Sequence, residues 1–344
     1  MHAKNIGFLS SISFLAWWGC AVAQTYTVVD LGLGQAWSIN DEGQVVGSGY
    51  CNPRNEFAAQ IWSGGTCSPL GPANLGYPAA LAINNAGLVV GSAFSSGTTD
   101  AILFVGPSFF DLGGAPHGVA RDINENGVVV GDSVPVNYAV ATLWPAGCVS
   151  ISCATLLSAL GQSEPPNFYA PGSANAVNAR GQVVGVSNFA SGGGAATLWN
   201  SATAAPTDLG SLTGCPNTAS STALGINNQG VIIGYSCLGG TVWKGLKAAP
   251  LPPVTGTASS TPYGINNAGV IVGSSAALGQ ASVATLWRGT VAVDLNAVSV
   301  HDPNVTLQWA TAINSRGQIV VNSYDSVANT EHVYLLTPIG KPGP

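Results

Sequence analysis

The chain has 344 residues, with only 9 basic and 15 acidic side chains and a formal net charge of −6. Charged residues make up 7% against roughly 25% in an ordinary soluble domain, while 46% of residues are hydrophobic and 45 are glycine. These figures exclude a basic nucleic-acid-binding surface, a charge-patterned coiled coil and a charge-rich disordered chain, and leave an apolar, glycine-rich globular chain long enough for a large core.

Residues 1–23 read as a signal peptide. Lys4, with His2, gives a weakly positive start, residues 6–19 are apolar, and Ala21-Val22-Ala23 matches the small-residue cleavage pattern before Gln24. The segment is short and carries Ser and Gly, which argues against a membrane anchor. Trp17, three places before Cys20, argues against a lipoprotein site. Cleavage removes Cys20 and leaves an even set of cysteines, the pattern of a disulfide-bonded exported protein. The expected address is extracellular or periplasmic, with no membrane insertion after cleavage.

From residue 38 onward one motif recurs seven times: an apolar pair ending in Ile-Asn (Val-Asn once), two small or polar residues, Gly, and a β-branched run ending in Gly in all but the last copy. The copies are 38–48, 82–92, 122–132, 176–186, 225–235, 264–274 and 312–322. Their asparagines are Asn40, Asn84, Asn124, Asn178, Asn227, Asn266 and Asn314, spaced by about 46 residues on average, a propeller-sized repeat. Asn-x-x-Gly predicts a turn with glycine at positive φ between a first and a second strand. The second strand lacks apolar/polar alternation, as expected of a strand covered on both faces, and its terminal Gly allows close backbone approach.

A third strand of the Ala-Thr-Leu-Trp type follows, placing Trp62, Trp144, Trp199, Trp243 and Trp287 at one register position, where they read as packing between sheets with the indole N–H free for a loop carbonyl. A fourth strand ending in Asp-Leu-Gly or a relative closes each unit, as at 109–113, 206–210 and 291–296. The mature chain opens on such a fourth strand, 25–32, and the last copy stops after its third, 332–336. The expected fold is all-β: a seven-bladed β-propeller of four-stranded blades over 24–340, closed by the N-terminal strand completing the last blade. The alternative is an open β-solenoid or β-helix.

The Gly-Ile-Asn-Asn-x-Gly-x-Val-Val-Gly pattern, nearest its ideal at 225–234 and 264–273, resembles the HAF-repeat proteins, a class of extracellular repeats, over essentially the whole mature chain. The His-Ala-Phe tripeptide that names the repeat is replaced in most units by Ala-Thr-Leu-Trp, and only Glu331-His332-Val333-Tyr334 echoes it. The resemblance implies an extracellular propeller of unassigned activity.

In such a fold the first-to-second turns are nearly constant from copy to copy, and the opposite face carries loops of varied length, where function commonly resides. His117, His301 and His332 fall on that variable face, with Glu56, Asp100, Glu164, Asp302, Asp325 and Glu331. The expected role is a binding or interaction scaffold for a glycan or a peptide or protein ligand, using Arg54, Glu56, Tyr77, His117, Tyr138, Phe168, Tyr169 and Phe189. The alternative is a hydrolase or lyase over blades six, seven and one, with His301 or His332 as base and Asp302, Asp325 or Glu331 orienting it. The histidines are not spaced like a zinc motif, no metal or cofactor is expected, and a monomer is.

Arg121 and Asp122 stand where other copies are uncharged and read as a local buried ion pair. Mapped onto the expected fold, Cys215 pairs with Cys237 across adjoining units and Cys148 with Cys153 around a third-to-fourth turn. Cys51 and Cys67 pair by elimination, from opposite ends of their blade.

Overall fold

The computed structural model describes residues 24–340 apart from 52–55, 73–74, 96, 114–116, 136–137, 161–171, 189–192, 217–219 and 326–329. Residues 1–23, where a signal peptide is expected, and Arg54, Glu164, Phe168, Tyr169 and Phe189 lie outside the described residues. The fold is all-β, with one 3-10 turn at Ile151–Cys153. Five antiparallel sheets have four strands each. One consists of Gly76–Ile83, Val89–Ser95, Thr98–Val105 and Ser108–Gly113, and the same order recurs in sheets whose first strands are Val119–Ile123, Gly172–Val177, Thr222–Ile226 and Ser259–Ile265.

The remaining sheet is longer because the strand Tyr26–Ile39 serves two sets of partners. Its Tyr26–Leu33 half runs antiparallel to Thr330–Pro338, in register from Tyr26 opposite Pro338 to Leu33 opposite His332. Its Gly34–Ile39 half pairs with Val45–Gly49, and through it with Ala58–Ser63 and Thr66–Leu70. Residues 26–33 thus stand as the fourth strand beside Trp309–Ile313, Ile319–Asp325 and Thr330–Pro338. The architecture is propeller-like: small antiparallel sheets, one after another, each with its repeat's first strand at one end.

The repeated turn explains its own composition. The glycine of every Asn-x-x-Gly lies in the left-handed region, from Gly269 at φ +76° to Gly127 at φ +80°. Each asparagine is buried, and its Oδ1 accepts the backbone N–H groups two and four residues on, as Asn124 does from Asn126 and Val128. Its Nδ2 donates to the backbone carbonyl of the asparagine in the next copy. These bonds run Asn40 to Asn84, Asn84 to Asn124, Asn124 to Asn178, Asn178 to Asn227, Asn227 to Asn266 and Asn266 to Asn314. Asn314 in turn donates to the carbonyl of Asn40 at 3.0 Å. Aspartate would lack the donor and serine the reach, so the amide is the side chain that meets all three demands.

The β-branched runs of the second strands are largely buried, and Val45–Gly49 and Val129–Ser133 are buried throughout. At their terminal glycine there is no space for a side chain: a Cβ on Gly131 would lie 1.8 Å from the Val119 carbonyl oxygen. The third-strand tryptophans are buried fillers, and each indole N–H finds a carbonyl near the preceding unit's fourth strand. Trp62 donates to Leu31, Trp144 to Leu112, Trp199 to Ser158, Trp243 to Gly210 and Trp287 to Pro252. The hydrophobic clusters lie between consecutive sheets, such as Val130, Leu143 and Leu157 against Val177, Val183 and Trp199. One cluster joins Val320 and Val333 of the last unit to Ile39, Val45 and Trp62 of the first.

All three disulfides form: Cys51–Cys67, Cys148–Cys153 and Cys215–Cys237. The expected separation of Cys51 and Cys67 is corrected, since the fold carries their Cα atoms to 5.8 Å. Three disulfides fit an oxidising, non-cytoplasmic compartment. Among the described residues no helix is long and apolar enough to cross a membrane.

Candidate functional site

Every first strand carries a β-bulge at the same place. Pairing with the second strand skips one residue, three positions before the asparagine: Trp37 between Ala36 and Ser38, Leu81 between Ala80 and Ala82, Arg121 between Ala120 and Asp122. The same skip falls at Asn175, Leu224, Tyr263 and Thr311. A bulged residue is released from the ladder and its side chain re-aimed. All seven bulged side chains line one cavity of about 560 Å³. Its wall is completed from the first and last units by Gln35, Trp309, Asn322, Ser323 and Glu331.

The wall differs from side to side. Tyr263, Trp309 and Trp37, from the sixth, seventh and first copies, supply aromatic surface; Arg121 and Asn175, from the third and fourth, supply polar groups. Arg121 Nε donates to Asp132 Oδ1 at 2.5 Å, and the Ser173 hydroxyl donates to the same oxygen at 2.9 Å. The expected Arg121–Asp122 pair is therefore corrected. Neighbours in a strand point to opposite sides, and Arg121 reaches across to Asp132 on the second strand. Asp122 instead accepts the backbone N–H groups of Ile123 and, in the next copy, Val177. Burial pushes its pKa up to about 7, those two bonds opposing the rise. On the far wall Gln35 donates to Glu331 Oε2 at 2.5 Å, and Asn322 is pinned on both amide atoms by the Ala36 backbone.

The residues expected to act are scattered by comparison. Of the five catalytic candidates, Glu331 is the one lining the cavity. His332 Nδ1 lies 3.0 Å from Asp30 Oδ2, on the strand pair that joins the chain's two ends. His301 meets the Ser299 carbonyl, and the exposed Asp302 caps Asn304. Asp325 is exposed at the end of its strand. Asp30, Asp325 and Asp302 do share one neighbourhood: after burial, their charges raise the Tyr334 pKa. Glu56 and His117 are exposed, Tyr138 is half-buried, and Tyr77 is 85% exposed at φ +42°. Among the described residues no group of three His, Cys, Asp or Glu is placed to hold a metal ion.

The cavity residues leave a pattern in the sequence. Within an otherwise uniform motif, the position three before Asn reads Trp, Leu, Arg, Asn, Leu, Tyr, Thr. Variation at one register of a repeated core marks a position free of the packing that fixes its neighbours. A second, smaller space of about 190 Å³ is walled by the Ile-Asn turn residues themselves. Compared with family models and with curated proteins, the chain gives no match.

Proposed function

We propose that this chain is a secreted, seven-bladed β-propeller of the HAF-repeat kind that acts as a binding module, its ligand site being the central cavity. Support for the closed ring over an open solenoid comes from three returns of the last unit onto the first: the Asn314–Asn40 bond, the pairing of residues 26–33 with 332–338, and the shared Val320–Trp62 cluster. An open array has no reason to make any of them.

The observation that carries the binding role is the convergence of seven bulged residues, of six different types, on one cavity. A wall of indole, phenol, guanidinium, amide and carboxylate groups is the mixture that recognises a polar ligand with apolar faces. Immobilised glycan and peptide arrays test this directly. Binding is expected, and Trp37→Ala is expected to weaken it at least about ten-fold with the fold intact, a single buried aromatic contact being sufficient for that. No ligand on either array, or binding indifferent to Trp37, overturns the cavity as the site.

A further inference from the structure

The cavity wall holds one cation and one carboxylate, Arg121 on the third copy and Glu331 on the seventh. In a seven-membered ring those positions are as far apart as the ring allows. Resting on the binding-module reading, we propose that the ligand is an acidic glycan, with a uronate carboxylate seated on the Arg121 guanidinium and its sugar rings crossing toward Trp37 and Tyr263.

Arg121 is built for such a role. Its six counterparts are uncharged, so the repeat itself has no use for the charge. Asp132, only 7% exposed and held by Ser173, grips Nε and fixes how the guanidinium stands. Among the described residues the Arg121 guanidinium is hydrogen-bonded through Nε, and Arg121 lines the cavity. Two parallel N–H donors match the two oxygens of a carboxylate. A dianionic phosphate fits less well, because among the described residues Arg121 is the one cation on the wall and a second negative charge finds no partner there. A monoanion placed beside Arg121 stays clear of Glu331.

The rest of the wall points to sugar rather than peptide. Gln35 and Glu331 present planar polar groups suited to hydroxyls, while Asn175 is held by the Ser173 hydroxyl and the Ala223 carbonyl. Trp37 and Tyr263 present faces on which the C–H side of a pyranose stacks. A peptide would add most readily as a strand along an exposed sheet edge. Here the bulge at every first strand interrupts that edge.

The experiment is calorimetric titration of the full mature chain with disaccharides carrying one terminal galacturonate, mannuronate or glucuronate, with neutral cellobiose and maltose, and with peptides with free C-termini. At least one uronate is expected to bind about ten-fold or more tightly than either neutral disaccharide, the scale of one charge-assisted contact. The decisive variant combines Arg121→Leu with Asp132→Ser, which installs the Leu81 and Ser92 pairing of the second copy and avoids an orphaned carboxylate. It should erase the uronate preference, bringing uronate affinity to within about two-fold of the neutral sugars' in the same variant. Equal binding of uronate and neutral disaccharides, or a preference that survives in the double variant, overturns the proposal. Peptide binding without glycan binding overturns the acidic-glycan proposal and spares the binding module; no binding at all removes both.

Discussion

The side chain of Asn314 donates to the main-chain carbonyl of Asn40 across 274 residues of sequence, at the same kind of distance as each bond between consecutive copies. In a closed ring the last asparagine is energetically like any other. Asn314→Ala strands the N–H groups of Arg316 and Gln318 and leaves the carbonyl of Asn40 with the Gly43 N–H alone, and Asn178→Ala does the same at Arg180, Gln182 and the Asn227 carbonyl, which keeps the Gly230 N–H. Each stranded donor costs about 1–3 kcal/mol, so both substitutions should lose roughly 2 kcal/mol or more. Urea unfolding of the two variants should give losses agreeing within about 1 kcal/mol. A clearly smaller loss at Asn314 would mean that the last unit is a loose end.

The Arg121–Asp132 pair predicts a non-additive pair of variants. Arg121→Leu alone leaves the buried Asp132 carboxylate with only the Ser173 hydroxyl, and should destabilise by about 1–3 kcal/mol, below the figure for a fully buried pair because Arg121 is 40% exposed. Adding Asp132→Ser should recover most of that loss. Thermal melts of both variants check it, and a double variant no more stable than the single would show that the two side chains are not coupled.

Much of this fold was legible because the repeat does the work of an alignment. The turn glycines, the buried Val/Ile strands, the tryptophans with their N–H partners and the pairing of the chain's ends all follow from comparing copies with one another. The side-chain role of the asparagines did not. Asn-x-x-Gly announces a turn, and nothing in a one-dimensional pattern says that the amide also reaches the next copy. The cavity was hidden for a related reason: alternation along a strand assigns Trp37 and Arg121 to a packed face, and only the bulge re-aims them. Arg121 was conspicuous as a charge, but its partner lay eleven residues on in the second strand.

The indole N–H bonds predict a graded response at Trp199, which is 1% exposed and donates to the Ser158 carbonyl at 2.7 Å. Trp199→Phe keeps most of the apolar volume and strands that carbonyl, for a loss of about 1–3 kcal/mol. Trp199→Ala also empties the space between two sheets and should lose about 3–5 kcal/mol. Equal losses from the two would mean that the hydrogen bond, and not the volume, accounts for the whole effect.

Asp122 predicts the shape of the stability–pH curve. Burial raises its pKa from 3.8 to about 7, against the opposing bonds from Val177 and Ile123. Between those two values the folded chain holds a proton that the unfolded chain has released, so this carboxyl contributes stability that is complete below about pH 4 and is lost as pH rises through about 7. In the first copy a serine does the corresponding work, Ser38 accepting the N–H of Ile83. Asp122→Ser should therefore fold, keep an acceptor for Val177, and remove the titration. Urea midpoints taken at intervals between about pH 4.5 and 8 should fall with rising pH more steeply in the native chain than in Asp122→Ser. Because every other acid is common to both proteins, the difference between the two curves isolates this one proton. Parallel curves would mean that Asp122 is ionised throughout, its charge met by the two N–H donors alone.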